Sequence, residues 1–178
     1  MWFLRHRPFD CRRPCVDARA HRIYHNEHNT KRRKWVASRQ YISPVLDIGC
    51  AEGFITAAIP ADRVVAVDVR NRLELSDAEF VEASVYALPF PDASFPTVCA
   101  FEMLEHLHEP EKALAEIRRV CSQLLYVTVP AHGAMPPGAT KGHVQDFEDI
   151  SALVEVAGFR VSSVTEQWPF VYLEGAVS

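Results

Sequence analysis

Acidic and histidine side chains in the second half of the chain have the spacing of an acid–base site. Glu102, Glu105 and His106 follow an apolar run, and their i, i+3, i+4 spacing predicts that they share one face of a helical turn. A histidine beside two carboxylates has its protonated form stabilised, which suits a general acid or base. A second histidine, His143, lies further along the chain. We predict that these residues contribute to catalysis.

A glycine-containing turn earlier in the chain has the composition of a ligand-binding loop. Residues 45–48 form an apolar run that predicts a buried strand, and Gly49 and Gly53 follow it. Asp47 lies two residues before the first glycine, so the pattern is D-x-G-x-x-x-G and not the G-x-G-x-x-G of dinucleotide-binding proteins. Glycines let backbone N–H groups approach a ligand closely, and a carboxylate at the strand end suits a ligand that carries a cation.

A second acid ends the next predicted strand. Residues 64–68 are rich in valine, and Asp68 follows Asp47 by 21 residues. This is the distance expected when one crossover helix joins two parallel strands. A carboxylate at that strand end can accept hydrogen bonds from both hydroxyls of a ribose.

Taken together, these motifs resemble the class I S-adenosylmethionine (SAM) dependent methyltransferases, whose cofactor carries an ammonium and a sulfonium. The match runs from about Tyr41 to Phe159. The segments that carry it stand in the family's order: 45–53, 64–68, 88–95, 101–107 and 157–159.

The resemblance implies which residues bind SAM. Asp68 would meet the ribose hydroxyls, and the glycine turn would lie along the amino-acid end. At Ser84 the family usually has an acid that meets the adenine amino group. The implied cofactor-binding residues are Asp47, Gly49, Cys50, Ala51, Gly53, Asp68, Val69, Ser84, Val85 and Phe101.

Strand and helix patterns alternate along the chain. This predicts an α/β fold with a doubly wound, mostly parallel sheet. The resemblance adds a Rossmann-like methyltransferase fold of seven strands, the last antiparallel, with helices on both faces. We expect Pro96 to delay the start of the fourth strand, because proline removes a hydrogen-bond donor. Helices are expected at about 53–59, 110–121 and 146–157, and strands at about 45–49, 64–68, 79–83, 95–101, 124–129, 159–166 and 169–176.

Charge divides the chain into a basic arm, residues 1–40, and an acidic body, residues 41–178. The resemblance implies that the arm includes a lid helix and that the body is a SAM-binding methyltransferase domain. Residues 1–39 contain eleven Lys and Arg against three acids, whereas the rest contains eight against twenty. The arm either folds back on the acidic domain or binds an anionic partner. In the family, a helix at this place partly covers SAM, so Tyr24 and His25 could face the acceptor. The alternative is a surface helix anchored by Trp35.

The sequence predicts a cytoplasmic protein without a membrane partner. It has no run of 18 apolar residues, no apolar signal-peptide region after Met1, and an odd number of cysteines, five.

The acceptor pocket must be built from the arm, the 130–142 loop and, in a homodimer, a second subunit.

We expect SAM-dependent methyl transfer to an oxygen or nitrogen of a small-molecule acceptor, by a histidine base and without a metal. One alternative is that Glu102, Glu105, His106 and His143 resemble the E-x-x-E-H…H metal-ligand set of small-RNA 3′-terminal ribose 2′-O-methyltransferases. The acidic body is a poor match to a phosphate backbone, so nucleic acid is disfavoured. A second alternative is a non-catalytic SAM-fold module that binds a partner. The two strand-end acids argue against it, because a binding scaffold does not need them.

Overall fold

The computed structural model describes residues 18–134 and 142–178, and for residues 18–26 it describes the backbone alone. Two parts of the sequence predictions therefore lie outside the described residues. These are the first part of the basic arm, residues 1–17, with the side chains of Tyr24 and His25, and most of the predicted loop over residues 130–142.

The described residues form an alternating series of strands and helices. The helices are α1 (Ala18–Ala37), α2 (Pro110–Val120) and α3 (Ile150–Val156), and short 3₁₀ turns occupy Thr56–Ala58 and Leu104–His106. The strands are β1 (Val45–Ile48), β2 (Val64–Asp68), β3 (Glu79–Glu82), β4 (Phe95–Phe101), β5 (Cys121–Pro130), β6 (Phe159–Gln167) and β7 (Phe170–Val177). Among these helices, none is long and apolar enough to cross a lipid bilayer.

The strands form one seven-stranded sheet with the order β3-β2-β1-β4-β5-β7-β6. Strand β7 is antiparallel to both β5 and β6, and the other neighbouring strands are parallel. The predicted doubly wound fold is therefore confirmed. The chain winds outward from β1 in both directions, so the order reverses between β1 and β4. At such a reversal a crevice opens at the carboxyl ends of the strands, where ligands bind in open α/β sheets.

Side chains alternate between the two faces of the sheet and bury both. On β1, Leu46 and Ile48 join the cluster that contains the apolar side chains of α2 and α3. Val45 joins a second cluster with Trp35 and Val36 of α1. The alternation therefore places Asp47, between Leu46 and Ile48, on the face that α1 covers.

The predicted helix at residues 53–59 is wrong, because the chain there makes only the 3₁₀ turn Thr56–Ala58. Gly53 and Pro60 leave too few residues between them to nucleate an α-helix. The described residues 71–77 contain no helix either, so the connection from β2 to β3 has no regular secondary structure.

The expectation for Pro96 is also wrong, because β4 begins at Phe95. The pairing of β4 with β5 shifts its register between Phe95 and Thr97, which places the proline at a bulge. A bulge accommodates a residue that cannot donate to the ladder.

Helix α3 begins later than predicted. Asp149 caps it by accepting hydrogen bonds from Ser151 N at 2.9 Å and Ala152 N at 3.3 Å, and Gly158 follows with φ of +91°.

Trp35 anchors α1 on the sheet, and its loss should destabilise the fold. Its ring lies 5.0 Å from Tyr172 and 5.9 Å from Tyr126, centroid to centroid. We expect Trp35→Ala to lower the free energy of unfolding by about 3–5 kcal/mol, because it leaves a cavity between helix and sheet. The same substitution at Trp168, which is 60% exposed, should stay within about 0.5 kcal/mol. Urea unfolding of both variants checks this, and equal losses would contradict it.

Candidate functional site

The turn after β1 is built around two glycines in the left-handed region. Gly49 has φ of +79°, and a Cβ there would lie 2.5 Å from Met103 Cγ. Gly53 has φ of +83°, and its N–H donates to Cys50 O at 2.8 Å. Only a residue without a side chain fits at Gly49 without moving the segment after β4. The turn and that segment are therefore in direct contact.

Asp47 is buried below this turn. The carboxyl is 2% exposed, and its Oδ2 accepts a hydrogen bond from Thr56 Oγ1 at 2.6 Å. Burial raises the pKa of Asp47 to about 7, against the opposing effect of the Thr56 hydrogen bond. A buried carboxylate of this kind favours a cationic ligand, because a cation restores the interactions lost with water.

Asp68 lies at the carboxyl end of β2, as predicted, and touches the same turn. Its Oδ2 accepts a hydrogen bond from Ala51 N at 3.0 Å. Arg72 Nη2 lies 3.9 Å from the same oxygen. Ala51 has φ of +49°, which is unusual for a residue with a side chain. The strand-end carboxylate thus holds the turn in shape.

A cavity of about 210 Å³ lies between α1, the turn and the end of β4. Of the predicted cofactor residues, Asp47, Gly49, Cys50, Ala51 and Phe101 line it. The other described residues in its wall are Asn29, Arg32, Glu52, Phe54, Ile55 and Glu102.

The remaining predicted cofactor residues lie outside the wall of this cavity. Val69, just after β2, is 63% exposed, and Ser84 is exposed with its hydroxyl accepting from Tyr86 N at 3.2 Å. Val85 is buried in the cluster on the α2 face. Gly53 closes the far end of the turn.

Glu102 enters the cavity from the end of β4. It has φ of +53°, and its N–H donates to Thr128 O at 2.9 Å. Arg32 Nη1 of α1 lies 3.5 Å from Glu102 Oε2, and the two side chains are 13% and 17% exposed. Burial raises the pKa of Glu102 to about 7, although the Arg32 charge lowers it. The strained backbone, at a cost of about 1–3 kcal/mol, points to a functional position.

The other three predicted catalytic residues form a separate cluster. Glu105 is 1% exposed, and His106 Nε2 lies 4.0 Å from its Oε1. The His106 and His143 rings are 4.5 Å apart, centroid to centroid. Val144 N and Gln145 N both donate to Glu105 O, at 2.8 and 3.1 Å, which holds the His143 segment in place.

Burial disfavours the charged forms of two residues in this cluster, Glu105 and His143. Burial and the neighbouring Glu102 charge raise the pKa of Glu105 well above its usual value. Burial and the neighbouring His106 lower the pKa of His143 to about 4. Nδ1 of His106 lies 2.8 Å from Gly142 O, so this nitrogen carries the proton that it donates. Nε2 is then the nitrogen that faces Glu105.

The same cluster has donors of the kind that bind divalent cations. One atom each from Glu105, His106 and His143 lie within 4.8 Å of one another. Within the described part of the chain, neither carboxylate oxygen of Glu105 nor His143 Nδ1 has a hydrogen-bond partner. Mixed carboxylate and imidazole ligands fit Mn²⁺ or Mg²⁺.

Sequence reasoning missed three residues of the site. Asn29 and Arg32 belong to α1, distant in sequence from the strands, and line the cavity. Thr56 donates a hydrogen bond to the Asp47 carboxyl. Arg32 stands in the basic run Lys31–Lys34, where nothing in the sequence distinguishes one cation from its neighbours. The orientation of α1 on the sheet determines that Arg32 is the cation that lines the cavity.

Comparison with known proteins identifies the family. Residues 46–124 match a family model described as a methyltransferase domain. A Mycobacterium tuberculosis protein, named a probable S-adenosylmethionine-dependent methyltransferase, is 32% identical over 142 residues, which are 70% of this chain and 51% of that protein. The chain spans about half the length, or less, of the curated relatives that it matches first.

Solved structures share the fold at low sequence identity. Magnesium protoporphyrin IX methyltransferase from Synechocystis, with bound SAM, has a TM-score of 0.68 and 15% identity, over 93% of this chain and 86% of that chain. A methyltransferase in complex with the Haloferax volcanii Trm112 methyltransferase activator has a TM-score of 0.70 and 15% identity, over 90% of this chain and 95% of that chain.

The fold, the glycine turn with its two strand-end acids and the matched family model define one class of protein. The chain belongs to the class I SAM-dependent methyltransferase superfamily, whose members use SAM as the cofactor.

The raised pKa of Asp47 predicts how stability without cofactor depends on pH. The folded protein holds this proton up to about pH 7, whereas the ordinary pKa is 3.8. Between these values the folded state binds more protons than the unfolded state. Stability therefore falls as pH rises, by up to ~1.4 kcal/mol per pH unit for one group.

Asp47→Asn should reduce this fall, because the amide does not titrate while its oxygen can still accept from Thr56. Thermal unfolding at pH 5 and pH 8 measures the difference. Asp62→Asn, at an exposed position, serves as the control and should leave the wild-type fall in place. An Asp47→Asn protein with the full wild-type pH dependence would show that Asp47 is not the titrating group.

Proposed function

We propose that this protein transfers a methyl group from SAM to an oxygen or nitrogen of a small-molecule acceptor. The observation that carries the proposal is the cavity at the reversal of strand order, whose wall includes Asp47, the Gly49 turn and Glu102. Its acids are suited to a cofactor with two cationic centres. When bound, SAM supplies an electrophilic methyl group on a sulfonium.

We assign the cofactor contacts as the family resemblance implies. Asp68 would accept hydrogen bonds from the ribose hydroxyls, because its carboxylate stands at the strand end beside the turn. Val69, Ser84 and Val85 would surround the adenine, and the exposed side chain of Val69 offers an apolar surface for it.

The chain's own contribution to the reaction is mainly alignment. Holding an acceptor in line with the methyl group can lower the barrier by about 7–11 kcal/mol. A base is needed only where the acceptor atom keeps its proton. Among the described residues of the predicted catalytic set, Glu102 is the one that lines the cavity. Its pKa of about 7 lets it accept a proton near neutral pH.

His106, with Glu105 and His143, is the second candidate base. With the proton on Nδ1, Nε2 of His106 is the ring nitrogen that could accept a proton from an acceptor.

The ribose assignment predicts that Asp68 is needed for cofactor affinity. Asp68→Ala should weaken SAM binding by at least tenfold, since each hydrogen bond to a charged acceptor contributes about 1.5–3 kcal/mol. Glu82→Ala is the matched control, because Glu82 pairs with Asp68 in register on β3 and is exposed. Calorimetry on both variants decides the matter. Unchanged SAM affinity in Asp68→Ala would remove Asp68 from the cofactor site.

A metal-dependent RNA 3′-terminal ribose 2′-O-methyltransferase is the second candidate function. The close approach of Glu105, His106 and His143 favours it, since these residues could hold a divalent ion that binds two ribose hydroxyls. The charge distribution disfavours it. Arg32 and Arg39 of the basic arm pair with Glu102 and Glu174 of the protein's own domain, which reduces their attraction for phosphates.

Chelation separates the two candidates. With an acceptor identified by screening metabolite extracts for a SAM-dependent gain of one methyl, activity should persist in EDTA. The rate should rise with pH through an inflection near 7, and Glu102→Gln should lower it by about 10²-fold or more. His106→Gln is the comparison and would take that loss instead if the histidine were the base. Activity on an RNA 3′ end that EDTA abolishes and Mn²⁺ restores would overturn the small-molecule proposal.

A non-catalytic SAM-fold module remains the third candidate, and a failure to find any methylated product would favour it. The division into a lid arm, residues 1–40, and a methyltransferase domain, residues 41–178, stays a prediction, as do a homodimer and a cytoplasmic location.

A further inference from the structure

We propose that Arg32 of α1 binds the carboxylate of the cofactor's amino-acid end, so that α1 is a functional part of the SAM site. This inference rests on the proposed function. It makes Arg32 a specificity-determining residue, because it would distinguish SAM from an analogue that lacks the carboxylate.

The charges around the cavity lead to Arg32. The wall contains the acids Asp47, Glu52 and Glu102, and Arg32 is the one cationic residue among the described residues that line it. The amino-acid end of SAM brings both an ammonium and a carboxylate into this space. The acids match the ammonium, whereas a carboxylate beside them is repelled unless a cation lies next to it.

The backbone of the turn is already largely used. Gly49 N and Cys50 N donate to Val67 O at 2.7 and 3.2 Å, and Gly53 N donates to Cys50 O. Ala51 N donates to Asp68 Oδ2 at 3.0 Å. The turn leads into a 3₁₀ turn in place of a full helix, so it offers no helix N-terminus for an anion. A side chain must therefore supply the carboxylate's main partner.

Arg32 is held in position without being saturated. Its Nη2 donates to Asn29 Oδ1, and its guanidinium lies over the Phe170 ring, 4.8 Å from the centroid. Its Nη1 is 3.5 Å from Glu102 Oε2, longer than the 2.7–2.9 Å or so of a charge-assisted hydrogen bond. Its Nε is buried and has no hydrogen-bond partner within residues 18–134 and 142–178. The guanidinium can therefore donate hydrogen bonds to a second carboxylate.

The other arginines of the same region have structural partners. Arg33 donates to Phe54 O and stacks on the Phe54 ring, 4.8 Å from the centroid. Arg39, just after α1, pairs with Glu174 at 2.5 Å and lies over Trp35. Neither lines the cavity. Arg39 thus combines an ion pair and a ring contact, as Arg32 does, but away from the site.

Calorimetry with two ligands tests the inference. S-adenosylhomocysteine has the same amino-acid end as SAM, and its decarboxylated form lacks only the carboxylate. We expect the wild-type chain to bind S-adenosylhomocysteine at least tenfold more tightly than the decarboxylated form. Arg32→Gln should lose about 10- to 100-fold in affinity for S-adenosylhomocysteine and keep its affinity for the decarboxylated form. Arg39→Gln should keep the wild-type ratio.

Each outcome decides between the two proposals. Wild-type protein that binds neither ligand would refute the proposed function, and this inference with it. Wild-type protein that binds both ligands equally would overturn the role of Arg32 but leave the proposed function standing. This result needs no variant, so it does not depend on whether a variant folds. An Arg32→Gln chain that folds by circular dichroism but loses both ligands equally would make Arg32 structural. Arg32→Lys should recover part of the preference for the carboxylate.

Discussion

The close contact between Gly49 and Met103 is the constraint on which the site depends. A Cβ at Gly49 would stand 2.5 Å from Met103 Cγ, and the backbone there is left-handed. Glycine allows both the close approach to Met103 and the left-handed backbone. The turn after β1 therefore packs directly on the segment after β4. This contact brings Asp47 and Glu102 to one cavity, although they are far apart in sequence. The cavity is thus made by two strand ends and not by the glycine turn alone.

Buried carboxyl groups accumulate where these strand ends meet. Burial raises the pKa of Asp47 and Glu102 to about 7 and that of Glu105 well above its usual value. Isolated buried charges are costly, so this arrangement lowers stability when no ligand is bound. A cationic ligand would replace the favourable interactions with water that these carboxylates lose on burial. The cost is therefore consistent with a binding site, since functional sites commonly sacrifice stability.

Helix α1 belongs to the core and to the site at the same time. Trp35 and Val36 pack in the cluster with Phe101 and Tyr172, so the helix is fixed on the sheet. Arg32, one turn earlier, is then directed into the cavity. Packing on one part of the helix sets the position of a charge on the next. This coupling explains how a residue of the basic arm can line the cavity.

The sequence by itself determined the sheet, the turn and the strand-end acids, because local patterns specify them. Valine-rich runs make buried strands, Gly49 permits a left-handed turn, and Asp47 and Asp68 end their strands. The helix predicted after β1 was wrong, because the apolar pattern favoured a helix while Gly53 and Pro60 leave room only for the 3₁₀ turn Thr56–Ala58.

Only the tertiary structure divided the predicted catalytic residues. Glu102 joined the cavity with Arg32, and Glu105 joined the two histidines. The division depends on a left-handed residue at Glu102 and on a chain segment about forty residues away. Periodicity describes which residues share a face of one element. It contains no information on which distant segment packs against that face, and that packing decides the surroundings of each charge.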